Sequence, residues 1–574
     1  MKFRWSCADS NTALAAQLSQ DLNISPLFAQ CLLNRGLDNA GTISRFLDPR
    51  LKYLADPFLI PGMDRAVERL FQARQNGEPI VIFGDYDVDG ISATAILIEV
   101  LSALGCKVES YLPHRLEEGY GLSRIAVENC FQKHGRKVVL AVDCGSTSVE
   151  SIQWLQEQCC DVIVLDHHQV SSPAPTPVAL VNPQLAAADQ PSFRELCSAG
   201  LAFKLAHALM KRGRQLGLRP AFEYDLRGLL DLAALATIAD VVPLVGENRI
   251  LVSAGLARLN QTSRCGLLAL MEVAQIASDV TGYEAGFQLA PRLNAAGRLE
   301  NAQQALNLLL SNQIDEARGI ARQLDGQNRQ RQRIERGILE QALKRARTRA
   351  DAGADFVIVD GQSPWHIGVV GIVAARLLQE FYRPVIIFGG DGEKWRGSGR
   401  SIEGFDLAQA LRDCNELLLG HGGHAMAAGL SIRPDNVGLF RERINSLAKE
   451  SLKAEQLQPS LRLDAQANLS DLTLERLAEL DKLQQTGIGN PPVQFFARNL
   501  SFHRPPRRMG QENQHAKFWV SDGHTVRESV WWNAREAALP EGSFDLAFVP
   551  QLNQFNGTRS VQLRVLDWRP AAQM

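Results

Sequence analysis

The chain has 574 residues, of which 45% are hydrophobic and 22% are charged. This composition is typical of a globular protein with sizeable cores, and it excludes a mainly disordered or collagen-like chain. The 61 basic and 63 acidic residues give a net charge of −2, so a nucleic-acid ligand would need a local basic patch. The ten cysteines include no C-x-x-C pair, which argues against a disulfide framework.

The hydropathy pattern of the chain predicts no membrane span, and the pattern of its first residues predicts no signal sequence. No apolar run in the chain reaches the roughly 18 residues of a membrane span. The start, MKFRWSCADS, leads into polar residues rather than an apolar signal core. We therefore expect a cytoplasmic protein with no membrane partner.

The predicted elements in the first half of the chain alternate between strands and helices. Residues 1–75 indicate an N-terminal helical segment that prolines interrupt. Residues 76–305 begin with short apolar runs separated by helical stretches, which is typical of a parallel sheet covered on both faces. Residues 306–350 continue one helical pattern without proline, and a polar helix of this length commonly bridges two domains.

The second half predicts another α/β domain and then a β-module. In residues 351–457 the runs FVIVD and PVIIFGG flank a helix, and glycine-rich GHGGHAMAAG follows. Residues 458–574 hold short strand-like segments with Gly, Asn and Asp turns, which predicts a small β-barrel or sandwich. The predicted fold class is therefore α/β, with two α/β domains joined by a long helix and a C-terminal β-barrel.

Acidic and histidine side chains follow several predicted strands of the first α/β domain. They are Asp85, Asp87 and Asp89 after VIF, Asp143 after VVLAV, and Asp166, His167 and His168 after VIVL. The carboxyl ends of parallel strands share one edge, where ligands bind, and Asp240 in TIADVVPL is a further candidate. Because clustered carboxylates resist ionising together, a divalent cation is the simplest compensating charge. Carboxylate and imidazole ligands suit Mn²⁺ or Mg²⁺.

Simpler interpretations exist for each of these residues alone. A single Asp after a strand is more often a helix N-cap or a turn residue than a ligand. The run D-x-D-x-D-G is also similar to a calcium loop, but Ile96 stands where the closing Glu belongs. The gathering of all these residues at consecutive strand ends favours a two-metal site. Two ions roughly 3.5–4 Å apart can activate a water and stabilise the leaving oxygen of a phosphoester.

The ordered motifs resemble those of a known superfamily. GDYDVDG, VDCG, DHH and ADVVPL resemble the DHH phosphoesterases, and WRGSGRS and GGHAMAAG resemble their associated DHHA1 domain. RLNAAGRLENA, the long helix and the β-module narrow the resemblance to the RecJ family of single-strand-specific 5′→3′ exonucleases. The resemblance covers nearly the whole chain. It implies a DHH catalytic domain at 76–305, a DHHA1 domain at 351–457 and an OB-like single-strand DNA-binding domain at 458–574.

The resemblance implies roles for the residues after the first two central strands. Asp87 and Asp89 would divide the two metals between them, with Asp85 in or near the coordination shell. Asp143 would bridge both ions. Cys144 departs from the family pattern, in which Asn is common at this position, and we expect no loss of metal binding from it.

The resemblance also implies roles around the DHH motif itself. His167 and Asp240 would complete the shell of the second ion. Asp166 would orient the imidazole of His167, as carboxylates commonly do for ligating histidines. His168 would lie near the phosphate, and we expect Asp166 and His168 to act in catalysis without binding the metal.

Four residues of the first domain are expected to contact DNA. By resemblance, Arg115 and Tyr120 contact the phosphate and sugar of the 5′-terminal region. Arg292 and Arg298 carry guanidinium groups suited to phosphate, and Arg298 is also expected to take up charge in the transition state. For any one such arginine a surface or structural ion pair is an equally common role, and the resemblance favours the phosphate role for Arg298.

The DHHA1 domain and the β-module are expected to hold more of the strand. Ser398, Arg400 and His424 form the predicted phosphate-binding surface, because glycines beside them expose backbone N–H groups to an anion. Trp365 favours core packing over stacking. The aromatic residues and arginines of the β-module suit a platform for single strands, although half of the aromatics must face the interior.

The predicted function is a single-strand-specific 5′→3′ DNA exonuclease that releases 5′-mononucleotides with two Mn²⁺ or Mg²⁺ ions, in repair and recombination. One alternative is a phosphodiesterase for short oligonucleotides or cyclic dinucleotides. The other is a non-catalytic DNA-binding scaffold. Single-stranded DNA is the expected substrate, and the resemblance implies single-strand DNA-binding protein and a RecQ-type helicase as partners. The sequence contains no G-x-x-x-x-G-K-S/T motif, which argues against an ATP-driven helicase.

Overall fold

The computed structural model describes residues 3–115, 117–135, 137–186, 193–350, 355–535 and 537–571. The chain divides into two compact units. The α/β unit is Arg50–Lys453, and the barrel unit combines Met1–Pro49 with Ala454–Met574. Within the described residues, no helix has the length and apolar composition needed to cross a membrane.

Helices dominate the α/β unit and strands dominate the barrel unit. The α-helices of the described residues are α1 (Thr12–Leu22), α2 (Pro26–Leu33), α3 (Ala40–Leu47), α4 (Met63–Asn76), α5 (Val88–Ala103), α6 (Arg124–His134), α7 (Val149–Glu157), α8 (Ser198–Gln215), α9 (Arg219–Glu223), α10 (Leu230–Ala239), α11 (Gly246–Leu259), α12 (Cys265–Ala274), α13 (Ala290–Leu299), α14 (Gln303–Leu310), α15 (Ile314–Ala350), α16 (Val370–Phe381), α17 (Leu407–Arg412), α18 (Val437–Ser451) and α19 (Leu474–Leu480). The strands are β1 (Arg4–Cys7), β2 (Pro79–Gly84), β3 (Lys107–Tyr111), β4 (Val138–Val142), β5 (Val162–Leu165), β6 (Ala179–Val181), β7 (Ile358–Gly361), β8 (Val385–Gly389), β9 (Trp395–Arg400), β10 (Leu418–Gly423), β11 (Ala427–Ile432), β12 (Ser460–Leu463), β13 (Ala465–Gln466), β14 (Phe495–Met509), β15 (His515–Ser521), β16 (Val526–Trp531), β17 (Phe544–Phe555) and β18 (Thr558–Pro570).

The first sheet is parallel and has the order β3-β2-β4-β5-β6. All residues of β4 are buried, as a sheet requires when helices cover both of its faces. One core packs this sheet against α4, α5, α8 and α10, and the other packs it against α6 and α7. The chain leaves β2 towards β3 on one side and reaches β4 on the other. Open α/β sheets bind ligands at such a switch point, beyond the carboxyl ends of the strands.

The second sheet is mixed, with the order β10-β11-β9-β8-β7, in which only β7 and β8 run parallel. The glycine-rich motifs form strands of this sheet, since WRGSGR is β9 and LLGHGG is β10. The glycines of β9 are needed for packing. A Cβ on Gly397 would lie 2.5 Å from Phe388 Cδ1, and one on Gly399 would lie 2.5 Å from Leu407 Cδ2.

The long connecting helix is shorter than the sequence predicts. The helical pattern from 306 breaks after α14, and α15 begins at Ile314. Ser311 adopts an extended backbone, and its hydroxyl donates to Glu316 Oε2 at 2.8 Å. This hydrogen bond ties the extended segment between the two helices to the first turn of α15.

The barrel unit closes five strands into a ring. β14 pairs with both β15 and β17, and β16 pairs in parallel with β18, as in a five-stranded OB fold. Alternate residues of β15 are buried: Ala516, Phe518 and Val520 face the core. The fold class predicted from the sequence, with its two α/β domains, long helix and OB-like barrel, is confirmed.

The first residues of the chain complete the barrel unit. β1 pairs in parallel with β12, and Trp5 Nε1 donates to Asp567 Oδ2 at 3.0 Å. Arg35 Nε donates to Asn490 Oδ1 at 2.8 Å. The predicted N-terminal segment 1–75 is therefore divided in the structure, because its first part packs with the C-terminal unit and α4 covers the first sheet.

Candidate active site

A tight turn joins β2 to α5 and holds three carboxylates. Asp85 is buried after the last residue of β2, and Asp87 is the N-cap of α5, with Oδ1 accepting from the Asp89 and Gly90 backbone N–H groups at 2.9 and 3.2 Å. A Cβ on Gly90 would lie 2.6 Å from the Asp85 carbonyl oxygen, so the turn needs glycine there. Asp87 therefore has the N-cap role common for a lone Asp. Its carboxylate still lies within 4.8 Å of ligand atoms of Asp85 and Asp143.

Asp143 follows β4 and faces this turn across the switch point. Its backbone has φ 63°, a left-handed conformation that Asp tolerates better than most residues and that commonly marks functional sites. Its Oδ1 accepts a hydrogen bond from Ser198 Oγ at 2.9 Å. His167 Nε2 lies 3.5 Å from the same oxygen. The carboxylate is thus held at the centre of the cluster.

The amino-terminal end of α8 supports Asp89. Ser198 N–H donates to Asp89 Oδ2 at 2.7 Å, and Ala199 N–H donates to Asp89 Oδ1 at 2.8 Å. Both oxygens therefore face the positive end of a helix macrodipole, which stabilises negative charge. Ser198 was not identified from the sequence. The available signal was a small polar residue directly before the apolar helix AGLAFKLA.

His167 and Asp240 complete the cluster from two further elements. Asp240 is the C-cap of α10, and its Oδ2 lies 3.6 Å from His167 Nε2. Asp89 Oδ2 lies 3.9 Å from the same nitrogen. These atoms form a group of three ligand donors from β2–α5, β5 and α10.

The expected pairing of Asp166 with His167 is wrong. Asp166 Oδ1 bonds to His168 instead, accepting from its backbone N–H at 3.2 Å and lying 2.7 Å from its Nδ1. A side chain that accepts from the backbone two residues ahead forms an Asx turn, and this turn brings the second imidazole to the carboxylate. Burial alone would lower the pKa of His168, but the hydrogen bond and charge of Asp166 outweigh it and raise that pKa to about 9.

The carboxylates of the cluster resist ionisation. Burial, followed by the charges of neighbouring carboxylates, raises the pKa of Asp85 and Asp143 well above the ordinary value. The same causes raise the pKa of Asp240 to about 9. Burial also raises the pKa of Asp89, although His167 opposes it. A cation at this place would remove the repulsion that causes these shifts.

The cluster fits one or more divalent cations. Among the described residues, three overlapping groups of ligand atoms lie within 4.8 Å of one another: Asp85, Asp87 and Asp143; Asp89, His167 and Asp240; and Asp143, His167 and His168. Two buried atoms, Asp85 Oδ1 and His167 Nε2, have no hydrogen-bond partner. Oxygen and imidazole donors without thiolate suit Mn²⁺ or Mg²⁺.

Beside this cluster lies a cleft of about 410 Å³ between the two sheets, the arginine cleft, lined by Tyr86, Arg115, Gly119, Tyr120, Ile367, Val370, Arg396, Gly397, Ser398, Gly420, His421, Gly429, Leu430 and Ser431. Arg115 stacks over the Tyr86 ring at 5.0 Å. Tyr120 OH donates to the Asp143 carbonyl oxygen at 3.3 Å and lies 3.3 Å from His168 Nε2. The cleft therefore adjoins the carboxylate cluster directly, because Tyr120 lines the cleft and contacts Asp143 and His168.

Arg400 lies behind this cleft. Its Nη1 donates to Ser398 Oγ at 3.0 Å, and burial, with the charge of Arg115, lowers its pKa. A Cβ on Gly371 would lie 3.0 Å from Ser398 Oγ, so the first turn of α16 approaches this serine closely. Two guanidinium groups, a hydroxyl and a helix amino terminus in one place form a site suited to phosphate.

The structure distinguishes the two arginines of PRLNAAGRLENA. Arg292 Nε donates to Asp325 Oδ1 at 3.0 Å, which is the ion-pair role left open above. Arg298 Nη1 donates only weakly, to the Gly368 carbonyl oxygen at 3.4 Å. Burial, then the charges of Arg115 and other groups, lowers the pKa of Arg298 to about 10. A bound phosphate would stabilise the charged form of this guanidinium group.

Two further expected residues have different surroundings. His424 is exposed at the end of β10 and is absent from the arginine-cleft lining, whereas His421 of the same motif is part of it. Trp365 is 5% exposed and donates through Nε1 to Gln341 at 3.2 Å. Its predicted core role is confirmed.

We expect Ser198→Ala to weaken Mn²⁺ binding about 10- to 100-fold, the usual cost of losing a residue that orients a metal ligand. The backbone donors to Asp89 would remain, so the loss measures the hydroxyl at Asp143. Isothermal titration with Mn²⁺ is the measurement, and exposed Ser446→Ala on α18 is the matched control. Equal affinities for both variants would contradict this role.

The raised pKa of Asp240 predicts a pH dependence. A raised folded-state pKa contributes stability that is fully present below the unfolded value of 3.8 and is lost as the pH rises towards about 9. In EDTA the melting temperature should therefore fall from about pH 6 to about pH 8. Mn²⁺ should raise the melting temperature more at the higher pH, because fewer protons must leave the carboxylates when the metal binds. A larger Mn²⁺ effect at the lower pH would contradict this expectation.

Known proteins share the motifs and the fold of this chain. Residues 79–237 match the DHH family, N-terminal domain, residues 354–450 match the DHHA1 domain and residues 463–567 match the RecJ OB domain. The single-stranded-DNA-specific exonuclease RecJ of Bacillus subtilis is 35% identical over 573 residues, which cover 99% of this chain and 71% of that protein. The chain belongs to the RecJ family.

Solved RecJ structures agree with this membership. The crystal structure of RecJ in complex with Mn²⁺ from Thermus thermophilus has a TM-score of 0.85 and 30% identity, and the match covers 100% of this chain and 80% of that one. RecJ from the same organism in complex with Mg²⁺ has a TM-score of 0.79 and 29% identity, with 100% and 79% covered. The RecJ fold is thus present over the full length of this chain.

Proposed function

We propose that this RecJ family member is a metal-dependent exonuclease that degrades single-stranded DNA from its 5′ end and releases 5′-mononucleotides. The observation that carries the proposal is the direct junction between the carboxylate cluster and the arginine cleft. One feature suits divalent metal and the other suits a terminal phosphate. A strand end bound in the cleft would place a phosphodiester beside Asp143.

Six residues would hold the two Mn²⁺ or Mg²⁺ ions: Asp85, Asp87, Asp89, Asp143, His167 and Asp240. The ligand atoms of Asp85, Asp87 and Asp143 lie within 4.8 Å of one another, and so do those of Asp89, His167 and Asp240. When bound, the ions supply Lewis acidity to the attacking water and to the leaving oxygen. Ser198 and the α8 amino terminus keep Asp89 and Asp143 in position.

The remaining residues bind and orient the substrate. Arg115, Ser398 and Arg400 would hold the 5′-terminal phosphate, which sets the distance from the strand end to the bond that is cut. Arg298 would neutralise charge that develops on the scissile phosphate. His168 is fixed through Nδ1 by Asp166, and its Nε2 lies beside Tyr120 OH, where both groups can contact a phosphate oxygen.

Digestion of two substrates in Mn²⁺ tests the proposed function. One is a long single-stranded DNA labelled at either end, and the other is a 5′-phosphorylated diribonucleotide, with a blunt duplex as the control. We expect mononucleotides from the 5′ end of the long strand and an intact duplex. Cleavage of the dinucleotide alone would establish the alternative of nucleotide turnover, and no cleavage would favour a scaffold.

The outer face of the barrel supports single-strand binding. Arg504 stacks over the Trp519 ring at 3.4 Å, and Lys517 Nζ lies 5.4 Å from the same ring. Trp532 is 47% exposed and packs edge-on against His515. Aromatic faces beside cations bind single strands without reading their sequence.

We expect Trp519→Ala to weaken the binding of single-stranded DNA about 5-fold to 150-fold, as for loss of one stacked base. Arg504→Gln should reduce the slope of log Kd against log salt by about one. Fluorescence anisotropy over a salt series measures both effects, with exposed Arg433→Gln in the α/β unit as a control. An unchanged salt slope for Arg504→Gln would contradict a phosphate contact.

Partners are proposed from the family resemblance alone. We propose that single-strand DNA-binding protein and a RecQ-type helicase supply the substrate in repair and recombination. Co-purification of either protein with the full chain, in nuclease-treated extracts, tests the contact without bridging DNA. Absence of both from the purified complex would contradict it.

A further inference from the structure

Two large aromatic side chains are exposed at a π-helical turn, Glu284–Leu289, with Phe287 within the turn and Tyr283 directly before it, and the proposed function gives them no role. Tyr283 is 61% exposed and Phe287 is 72% exposed. Their ring centroids lie 5.2 Å apart, with an angle of 32° between the ring planes. Scattered apolar residues on a surface are ordinary, but a paired aromatic surface is typical of a binding site.

The turn packs against the helix that ends at Asp240. A Cβ on Gly286 would lie 3.2 Å from Ile238 Cγ2, so the turn packs directly on the last residues of α10. Asp240 follows as the C-cap of that helix, and its neighbour Val241 is itself 60% exposed. The aromatic pair is therefore carried by a turn that packs on the helix leading to Asp240.

Arg292 links this turn to α15. Its Nη1 donates to the Gln288 carbonyl oxygen at 2.6 Å, and its Nε donates to Asp325 Oδ1 at 3.0 Å. Asp325 also accepts from Arg329 Nη2 at 2.8 Å. Arg292 thus acts as a positioning residue that holds the aromatic turn beside the long helix.

The exposed face of α15 next to this link is strongly cationic. Between residues 322 and 336, all of them described, the exposed side chains are four arginines and three glutamines, with one glycine and no acidic residue. The arginines are Arg322, Arg329, Arg333 and Arg336. Spacings of seven, four and three place them on one side of the helix over about 21 Å. Arg329 pairs with the buried Asp325, and a row of arginines with no exposed acid between them suits a phosphodiester backbone.

We propose that Tyr283 and Phe287 form a base-stacking site for the single-stranded substrate, between the metal cluster and the arginine face of α15. The inference rests on the proposed function and adds a site for bases to it. Phosphates on the arginine face would orient the neighbouring bases towards the rings. Every base offers a π-face, so this site holds the strand without selecting its sequence.

Binding of a short 5′-phosphorylated oligothymidylate to the full chain in EDTA tests the site. Phe287→Ala should raise the Kd about 5-fold to 150-fold, the range measured for loss of one stacked base. Tyr283→Phe should bind as the wild type does, because the ring and not the hydroxyl stacks. Phe222→Ala, which removes a 62% exposed ring from α9, is the matched control.

Oligonucleotides with one abasic site, moved stepwise from the 5′ end, separate stacking from a folding defect. At one position, the abasic site should cost the wild type as much affinity as the Phe287→Ala substitution costs on the intact strand. At that same position, the abasic site should cause no further loss of affinity in Phe287→Ala. Equal affinities of wild type and variant, or additive losses at every abasic position, overturn the proposal. The digestion assay tests the proposed function separately: a wild type that binds the oligothymidylate but cuts no single strand would contradict the exonuclease while leaving the stacking site intact.

Discussion

We expect Asp143→Asn to lower the rate of DNA hydrolysis by more than about 10³-fold, at least the cost of removing one well-placed electrostatic group. Asp143 faces both groups of carboxylates, and its Oδ1 lies 3.5 Å from His167 Nε2. An amide cannot supply a negative oxygen to two cations. Asn tolerates the left-handed backbone at this position, so the fold should persist.

The Asp143 prediction has a direct control. Asp64→Asn exchanges the same groups at an exposed position in the first turn of α4, and its activity should equal that of the wild type. Single-turnover digestion at saturating Mn²⁺ measures the rate. Binding of single-stranded DNA in EDTA should change little, because the arginine cleft is intact. Activity of Asp143→Asn near the wild-type level would contradict the assignment of Asp143 as a metal ligand.

The second large effect concerns the end of the strand. The wild type should prefer a 5′-phosphorylated strand over one with a 5′-hydroxyl, and Arg400→Gln should reduce this preference about 10-fold to 100-fold. A hydrogen bond to a charged group contributes about 1.5–3 kcal/mol, and Gln keeps the polarity but loses the charge. The ratio of kcat/KM for the two substrates measures the preference.

Arg433→Gln, after β11 in the same sheet, is the control for Arg400→Gln and should keep the full preference. The hydroxyl-ended substrate is an internal control, because its kcat/KM should fall much less in Arg400→Gln. A wild type that cuts both substrates equally would exclude a terminal-phosphate site in the arginine cleft. An unchanged ratio of kcat/KM in Arg400→Gln would show that Arg400 does not bind the terminal phosphate.

The position of the acidic cluster could be predicted because topology alone brings it together. Residues after β2, β4 and β5 must meet at one edge of a parallel sheet, so Asp85, Asp143 and His167 were predictable from apolar runs followed by polar residues. The resemblance to the RecJ family supplied the expected roles of Asp240 and of the arginines. Those roles are not a consequence of spacing.

Other features depend on contacts that no local pattern encodes. Ser198 reaches Asp89 across 109 positions of the chain, and the orientation of α8 is set by packing. The Asp166 carboxylate turned to His168 because a local backbone hydrogen bond competed with the expected partner. The strand that contains Gly397 was not predicted either, since the bulk of Phe388 that requires this glycine lies on another strand.

The most direct test of the metal centre is anomalous diffraction at the manganese edge from crystals of the full chain grown with Mn²⁺. We expect two peaks, both within bonding distance of Asp143, one of them also bound by His167 and Asp240. The same data from Asp143→Asn should lack at least one peak. A single peak in the wild type, or two peaks away from Asp143, would contradict the two-metal centre.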